Sequence, residues 1–296
     1  MMSPLAVQIL QLAIAGLTMG CIYAIVAVGF NVVYKATGAI NFAQGEWLMA
    51  GGMVASTLHN AGWPVWAACV AAPLAVAAAG WVCDRLVMPF VARGPHNNPF
   101  TLTLVTIGVG LSVRSAVMML GKEPHGLPGL TPATLHVAGL AIDAQALWLV
   151  GIALAFIIAT HAFFEYTLAG RAMRACAAEP GAAALMGVPV ERTVSWAFVL
   201  AALAGGIAGV IVTPLTFVSY DSGTLFGFKG FAAAMLGGLG GLRGALLGGL
   251  LLGLLESFAS GLVSSHFRDL MSFVCLLLVL FVRPNGLFGR ADIVKV

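Results

Sequence analysis

At 296 residues, with 60% hydrophobic and 8% charged residues and a net charge of +3, the chain has a mean hydropathy of +1.02. These values lie outside the globular range and read as an integral membrane protein. No basic cluster is interleaved with aromatics, so a nucleic-acid partner has no electrostatic footprint.

Crossing about 30 Å of hydrocarbon takes roughly 20 apolar residues, and eight or nine such runs can be placed. The first, 5–33, lacks a cationic n-region and exceeds a signal-peptide h-region, so it reads as a retained span. The second, 36–58, holds Thr37, Asn41, Gln44 and Glu46 inside the membrane. The third, 65–83, carries Pro73 as a kink, and the fourth, 99–120, contains Arg114. A Pro- and Gly-rich stretch, 121–145, reads as an external loop before the fifth span, 146–164.

The sizeable polar segment EYTLAGRAMRACAAEPGAAALMGVPVER, 165–192, follows. Its cations exclude it from lipid, and breaks at Pro180-Gly181 and Gly187-Val188-Pro189 divide it into two short helical pieces. It reads as a cytoplasmic helix-turn-helix loop. A sixth span, 193–213, leads to a turn-rich link, 214–227, containing Tyr220, Asp221 and Ser222. The glycine-dense 230–261 is either two spans hinged at Arg243 or one span plus a re-entrant half-helix. A last span, 270–282, precedes a tail with Arg283, Arg290 and Lys295.

Lys and Arg in short loops set orientation. With nine spans, one side holds Lys35, Arg85, Arg93, Arg171, Arg174, Arg192, Arg243, Arg283, Arg290 and Lys295, and the other Lys122, Lys229 and Arg268. The fold class is therefore all-α: a single polytopic membrane domain over 1–296 with eight to nine transmembrane helices, the N-terminus outside, and the 165–192 loop and C-terminus cytoplasmic.

Lipid gives helices no hydrophobic reason to associate, so small residues must let backbones approach. Gly16, Gly20 and Ala24 form one stripe, Gly205 and Gly209 another, and Gly240, Gly244 and Gly248 a third, with Gly249 and Gly253 beside it. No Lys-Ser/Thr pair follows these glycines, so they are not a P-loop. The five cysteines, Cys21, Cys69, Cys83, Cys176 and Cys275, show no C-x-x-C pair and read as unpaired thiols. No catalytic motif, metal-ligand cluster or cofactor signature occurs, so no enzyme site is expected.

Ionisable side chains within spans are costly and usually functional, which singles out Glu46, Arg114 and Glu256. Arg114 either acts there or snorkels to the outer interface. Glu256 lies about 13 residues beyond Arg243, roughly 20 Å along a helix, where it either lines a cavity or pairs structurally. Glu46 sits near mid-depth. Thr37, Asn41 and Gln44 share a helix face, a polar stripe that either lines a pathway or glues helices together. Asn31 and Tyr34 are placed to meet it.

Residues 16–52, GLTMGCIYAIVAVGFNVVYKATGAINFAQGEWLMAGG, resemble the opening of the LivH-type permeases of bacterial ABC importers for branched-chain amino acids. Their typical INFAHGE stretch is matched by Ile40 to Ala43 with Gly45 and Glu46, Gln44 replacing the usual His. The RACA run, 174–177, with Gly187 and Arg192, resembles their cytoplasmic coupling loop. Glu179 stands near its acidic position, while Ala178 replaces a residue that is often acidic. Residues 227–256 resemble the family's glycine-rich segment and end on its Glu, and RPNGLFG, 283–289, resembles its C-terminal signature.

The resemblance implies a permease subunit in the bacterial inner membrane, without a cofactor. Its partners would be two cytoplasmic ATP-binding subunits, a second homologous permease and a periplasmic substrate-binding protein. The solute would be a branched-chain or other hydrophobic amino acid, urea or a small amide. Thr37, Asn41, Gln44, Glu46 and Glu256 are the pathway candidates, and Arg171, Arg174, Glu179, Gly187 and Arg192 the coupling candidates. The rival reading is a secondary carrier or channel using Glu46 and Glu256. A structural scaffold explains the glycine stripes but not Glu46.

Overall fold

A computed structural model describes residues 3–93, 99–131, 133–137, 140–283 and 285–289. Among these are the helices α1 (Pro4–Thr37), α2 (Gln44–Asn60), α3 (Val65–Arg93), α4 (Pro99–Met118), α5 (Ala144–Tyr166), α6 (Leu168–Ala178), α7 (Pro180–Leu185), α8 (Val190–Val212), α9 (Ser222–Gly237), α10 (Leu242–Leu262) and α11 (Phe267–Val282). A short antiparallel hairpin, β1 (Thr134–Val137) and β2 (Leu140–Asp143), precedes α5. It stands where the sequence reads only as an external loop.

Six helices, α1, α3, α4, α5, α8 and α10, are long and apolar enough to cross a membrane. The other three apolar helices, α2, α9 and α11, have 17, 16 and 16 residues. At 1.5 Å per residue they reach about 24–26 Å, short of the hydrocarbon thickness. The glycine-dense region resolves into two helices, α9 and α10, separated at 238–241 just before Arg243.

α1 is the central post, with 67% of its most apolar stretch buried, against 28% for α3, α4 and α5. Those outer helices turn Leu74, Leu111 and Ile158 outward, as lipid-facing surfaces do. The glycine stripes set the close contacts. A Cβ on Gly249 would stand 2.5 Å from the Ala24 backbone nitrogen, and one on Gly253 would run into Gly16 and Gly20. The α1–α10 seam is therefore backbone against backbone, as small-residue packing in lipid requires. Gly205 and Gly209 of α8 serve α2 in the same way, against Trp47, Leu48 and Gly52.

The contacts sort the connections onto two faces of the bundle. One face brings Asn31 to Gly240 and Gly241, the Leu287 N–H to the Leu236 carbonyl, and Lys35 over the Phe164 ring. The opposite face pairs His125 with Val218, and Ser56 with the Gly126 carbonyl. The 165–192 segment lies on the first face, next to Phe164; the hairpin, running straight into the start of α5, lies on the second. Arg290 and Lys295, counted for orientation, lie outside the described residues.

Candidate translocation site

The expected helix face carrying Thr37, Asn41 and Gln44 does not exist, because the chain breaks between them. α1 ends at Thr37, where Gly38 takes φ 68 and gives its N–H to the Tyr34 carbonyl. This left-handed cap suits glycine. Residues 38–43 are non-helical, and α2 begins at Gln44. The Gln44 Nε2 donates to the Ala201 carbonyl at 3.0 Å, and Ala201 stands midway along α8 (Val190–Val212). Hence α2 starts at mid-depth in the bundle, as broken helices do at transport sites. Gly29 leaves room on α1 for the Gln44 amide, since a Cβ there would overlap it.

Irregular backbone at membrane depth survives only when protein satisfies it. Here α4 does so. The Phe42 and Ile40 N–H groups donate to the Thr106 and Thr103 hydroxyls at 3.1 and 3.3 Å, and the Asn41 Oδ1 accepts from the Ala43 N–H at 3.2 Å. No side chain caps α2. The Asn41 Nδ2, the Gln44 Oε1 and the Glu46 Oε2 are buried without a hydrogen-bond partner. Thr37 instead bonds within its own turn, to the Val33 carbonyl at 2.9 Å. Asn31 serves the α9–α10 link rather than meeting Asn41, accepting from the Gly240 N–H and donating to the Gly241 carbonyl.

Glu46 points away from Asn41, toward α9 and α4. Its Oε1 accepts from the Thr224 hydroxyl at 3.2 Å, and a Cβ on Gly223 would run into its carboxylate. Arg114 reaches the same hydroxyl at 3.4 Å and lies 5.6 Å over the Tyr220 ring. Thr224 thus relays Arg114 to Glu46. The arginine is tied into a polar chain that runs from Tyr220, in the link that pairs with His125, through Thr224 to Glu46.

Glu256 is paired on every side. Its carboxylate accepts from Tyr23 of α1 at 2.6 Å and from Ser272 of α11, and it forms an ion pair with Lys229 of α9 at 3.1 Å. Lys229 also meets Asp269 at 2.8 Å. Lys229, expected in an outer loop, is 5% exposed inside α9, so it leaves the orientation count. Its counter-charges come from α10 and α11, and that is what makes a mid-helix lysine tolerable. A cavity of about 230 Å³ beside Glu256 is lined by Gly16, Met19, Ser257 and Arg268.

In the 165–192 segment, Pro180 opens α7 and Gly187 ends the turn at φ 84. Arg174 is committed locally, donating to the Phe164 carbonyl at 2.6 Å and to Glu165 at 3.0 Å. Cys176 is packed inward, and burial, opposed by Thr193, pushes its thiol up. Arg171, Glu179, Gly187 and Arg192 remain exposed. Sequence reasoning missed the two apolar residues beside them, Leu185 and Met186, exposed at 90% and 85%. It also missed Asp84, which it left just past the end of a span; α3 continues to Arg93 and buries it.

Residues 12–282 match the family described as branched-chain amino acid transport system / permease component. The chain belongs to this family. The high-affinity branched-chain amino acid transport system permease protein LivH of Escherichia coli K12 is 32% identical across the whole of both chains. BraD, the corresponding permease protein of Pseudomonas aeruginosa, is 30% identical over 97% of this chain and 98% of its own. The structure of PsaBC from Streptococcus pneumoniae in complex with Fab superposes with a TM-score of 0.51 at 14% identity, over 92% of this chain and 91% of that one. It shares the fold. The permease is a multi-pass protein of the inner (plasma) membrane, and its family is one of transport components rather than enzymes.

Proposed function

We propose that this permease forms the translocation path of an ATP-driven importer for branched-chain or similar hydrophobic amino acids, with Asn41, Gln44 and Glu46 at its centre. The observation that carries the reading is the break at 38–43, which gathers unpartnered polar atoms at mid-depth beside an uncapped helix start. Such groups are costly unless hydrated or met by a solute. Thr37 shapes the turn that enters the break, and Glu256 braces the helices beside it.

The chain crosses nine times, six of them by the long helices, one by the break at 38–43 together with α2, and two by the shorter α9 and α11, with the N-terminus outside and the C-terminus cytoplasmic. Of the importer's two ATP-binding subunits, one docks on the 165–192 loop, where Leu185 and Met186 fill an apolar hollow and Arg171, Glu179, Gly187 and Arg192 frame them. Arg174 holds the loop against α5. A second permease subunit completes the path, and a periplasmic binding protein supplies the solute.

The test is uptake of L-leucine into vesicles holding the permease with its partner subunits. Uptake is expected to need ATP on the cytoplasmic side and to survive a protonophore. Uptake that ignores ATP and collapses with the proton gradient would instead establish a secondary carrier working through Glu46 and Glu256.

A further inference from the structure

Asp84 is 5% exposed, and neither of its carboxylate oxygens has a hydrogen-bond partner. Ser195 of α8 lies beside it without closing a hydrogen bond. The adjacent cation, Arg85, is drawn over the Trp81 ring at 5.6 Å. Asp84 and Asn41 line one cavity of about 30 Å³, walled by Trp47, Val109 and Phe198, with the native Cys83 at its side. Asn41 is 1% exposed, and its Nδ2 is the unpartnered donor at this cavity.

The two orphan groups are chemically opposite. A carboxylate withdrawn from water is costly unless a cation meets it, and a buried amide donor left unmade loses the water it would otherwise bond. A cation alone satisfies Asp84 and leaves the Asn41 donor facing positive charge, whereas an anion alone does the reverse. A ligand with an ammonium and a carboxylate on neighbouring atoms satisfies both, and its aliphatic part finds the Trp47, Val109 and Phe198 wall. Neutral urea or an amide brings no cation for Asp84. The space seen here is water-sized, so it must widen to pass a whole solute.

We infer that Asp84 and Asn41 form a station for the zwitterionic head group of an aliphatic amino acid, Asp84 accepting from the ammonium and the Asn41 Nδ2 donating to the carboxylate. The inference rests on the transport reading above and adds to it the two side chains that would hold the solute's head group.

The permease with its partner subunits, keeping Cys83 and with its other four cysteines replaced by alanine, is treated with N-ethylmaleimide, and Cys83 modification is followed by peptide mass spectrometry. Millimolar L-leucine is expected to slow modification at least fivefold, while acetamide does not. Asp84→Asn is expected to remove the protection and raise the leucine KM at least tenfold, and Asp84→Glu to restore part of both. Equal protection by acetamide, no protection by leucine, or an Asp84→Asn variant indistinguishable from the parent overturns the station. If Asp84→Asn does not assemble, the leucine-against-acetamide comparison in the parent still decides. Absence of ATP-dependent leucine uptake by the parent removes the transport reading itself, whereas intact uptake with an indifferent Asp84→Asn removes only the station.

Discussion

Lys229 shows how a charge becomes tolerable deep in a bundle. It stands between Glu256 at 3.1 Å and Asp269 at 2.8 Å, while Tyr23 and Ser272 take up the other lone pairs of Glu256. Removing one partner of such a pair leaves an uncompensated buried charge, at a cost of about 3–5 kcal/mol. Lys229→Met is therefore expected to lower the thermal unfolding midpoint sharply, and the double variant Lys229→Met with Glu256→Gln to regain much of the loss. Melting curves of the detergent-solubilised protein check this; a double variant no better than the single one would mean the ion pair is not the cause. Glu46 has no such counter-charge in contact, only the Thr224 hydroxyl relaying Arg114. On the proposed transport reading, that contrast makes Glu256 the structural carboxylate and Glu46 the pathway one.

Among elements, the α1–α10 seam leaves the least room for change. Gly249→Leu pushes a side chain into the Ala24 backbone, whereas Gly151 has nothing within 4 Å of its would-be Cβ. Gly249→Leu is expected to cost more than the roughly 1–3 kcal/mol of ordinary overpacking and to deplete folded protein, with Gly151→Leu tolerated; fluorescence-detected size exclusion distinguishes them. The stripe of Gly16, Gly20 and Ala24 was legible because its spacing follows the helix period, and α4, α5 and α8 were legible as long apolar runs. The break at 38–43 was not. Its freed N–H groups are met by Thr103 and Thr106, more than 60 positions along the chain, so nothing local announces it, and Thr37, Asn41 and Gln44 read as one face of a continuous helix. Asp84 was hidden for a related reason: beside Arg85 it has the look of a span end, and only the continuation of α3 brings it to the cavity that Asn41 also lines. Lys229 likewise depends on partners from α10 and α11 that no local pattern announces.

For the whole molecule, the two-faced arrangement of the connections makes orientation a single question. A cysteine introduced in the 126–134 loop is expected to react with an impermeant thiol reagent added outside, and one at Gly289 not to react; the reverse pattern inverts the topology. If the 165–192 loop is the proposed docking site, Leu185→Asp with Met186→Asp is expected to abolish co-purification of the ATP-binding subunits without changing membrane insertion, and undiminished co-purification would move the docking site elsewhere. The central claim, that the polar groups of the break are path rather than glue, is tested most directly by Asn41→Leu, with ATP-dependent leucine uptake and thermal stability measured in one preparation. Losing the donor removes about 1–1.5 kcal/mol from a passing solute, roughly tenfold in rate. Uptake falling about tenfold, well beyond the modest drop in melting midpoint that follows from leaving the Ala43 N–H without its Asn41 acceptor, is the predicted result, and uptake that declines only in step with stability would contradict it.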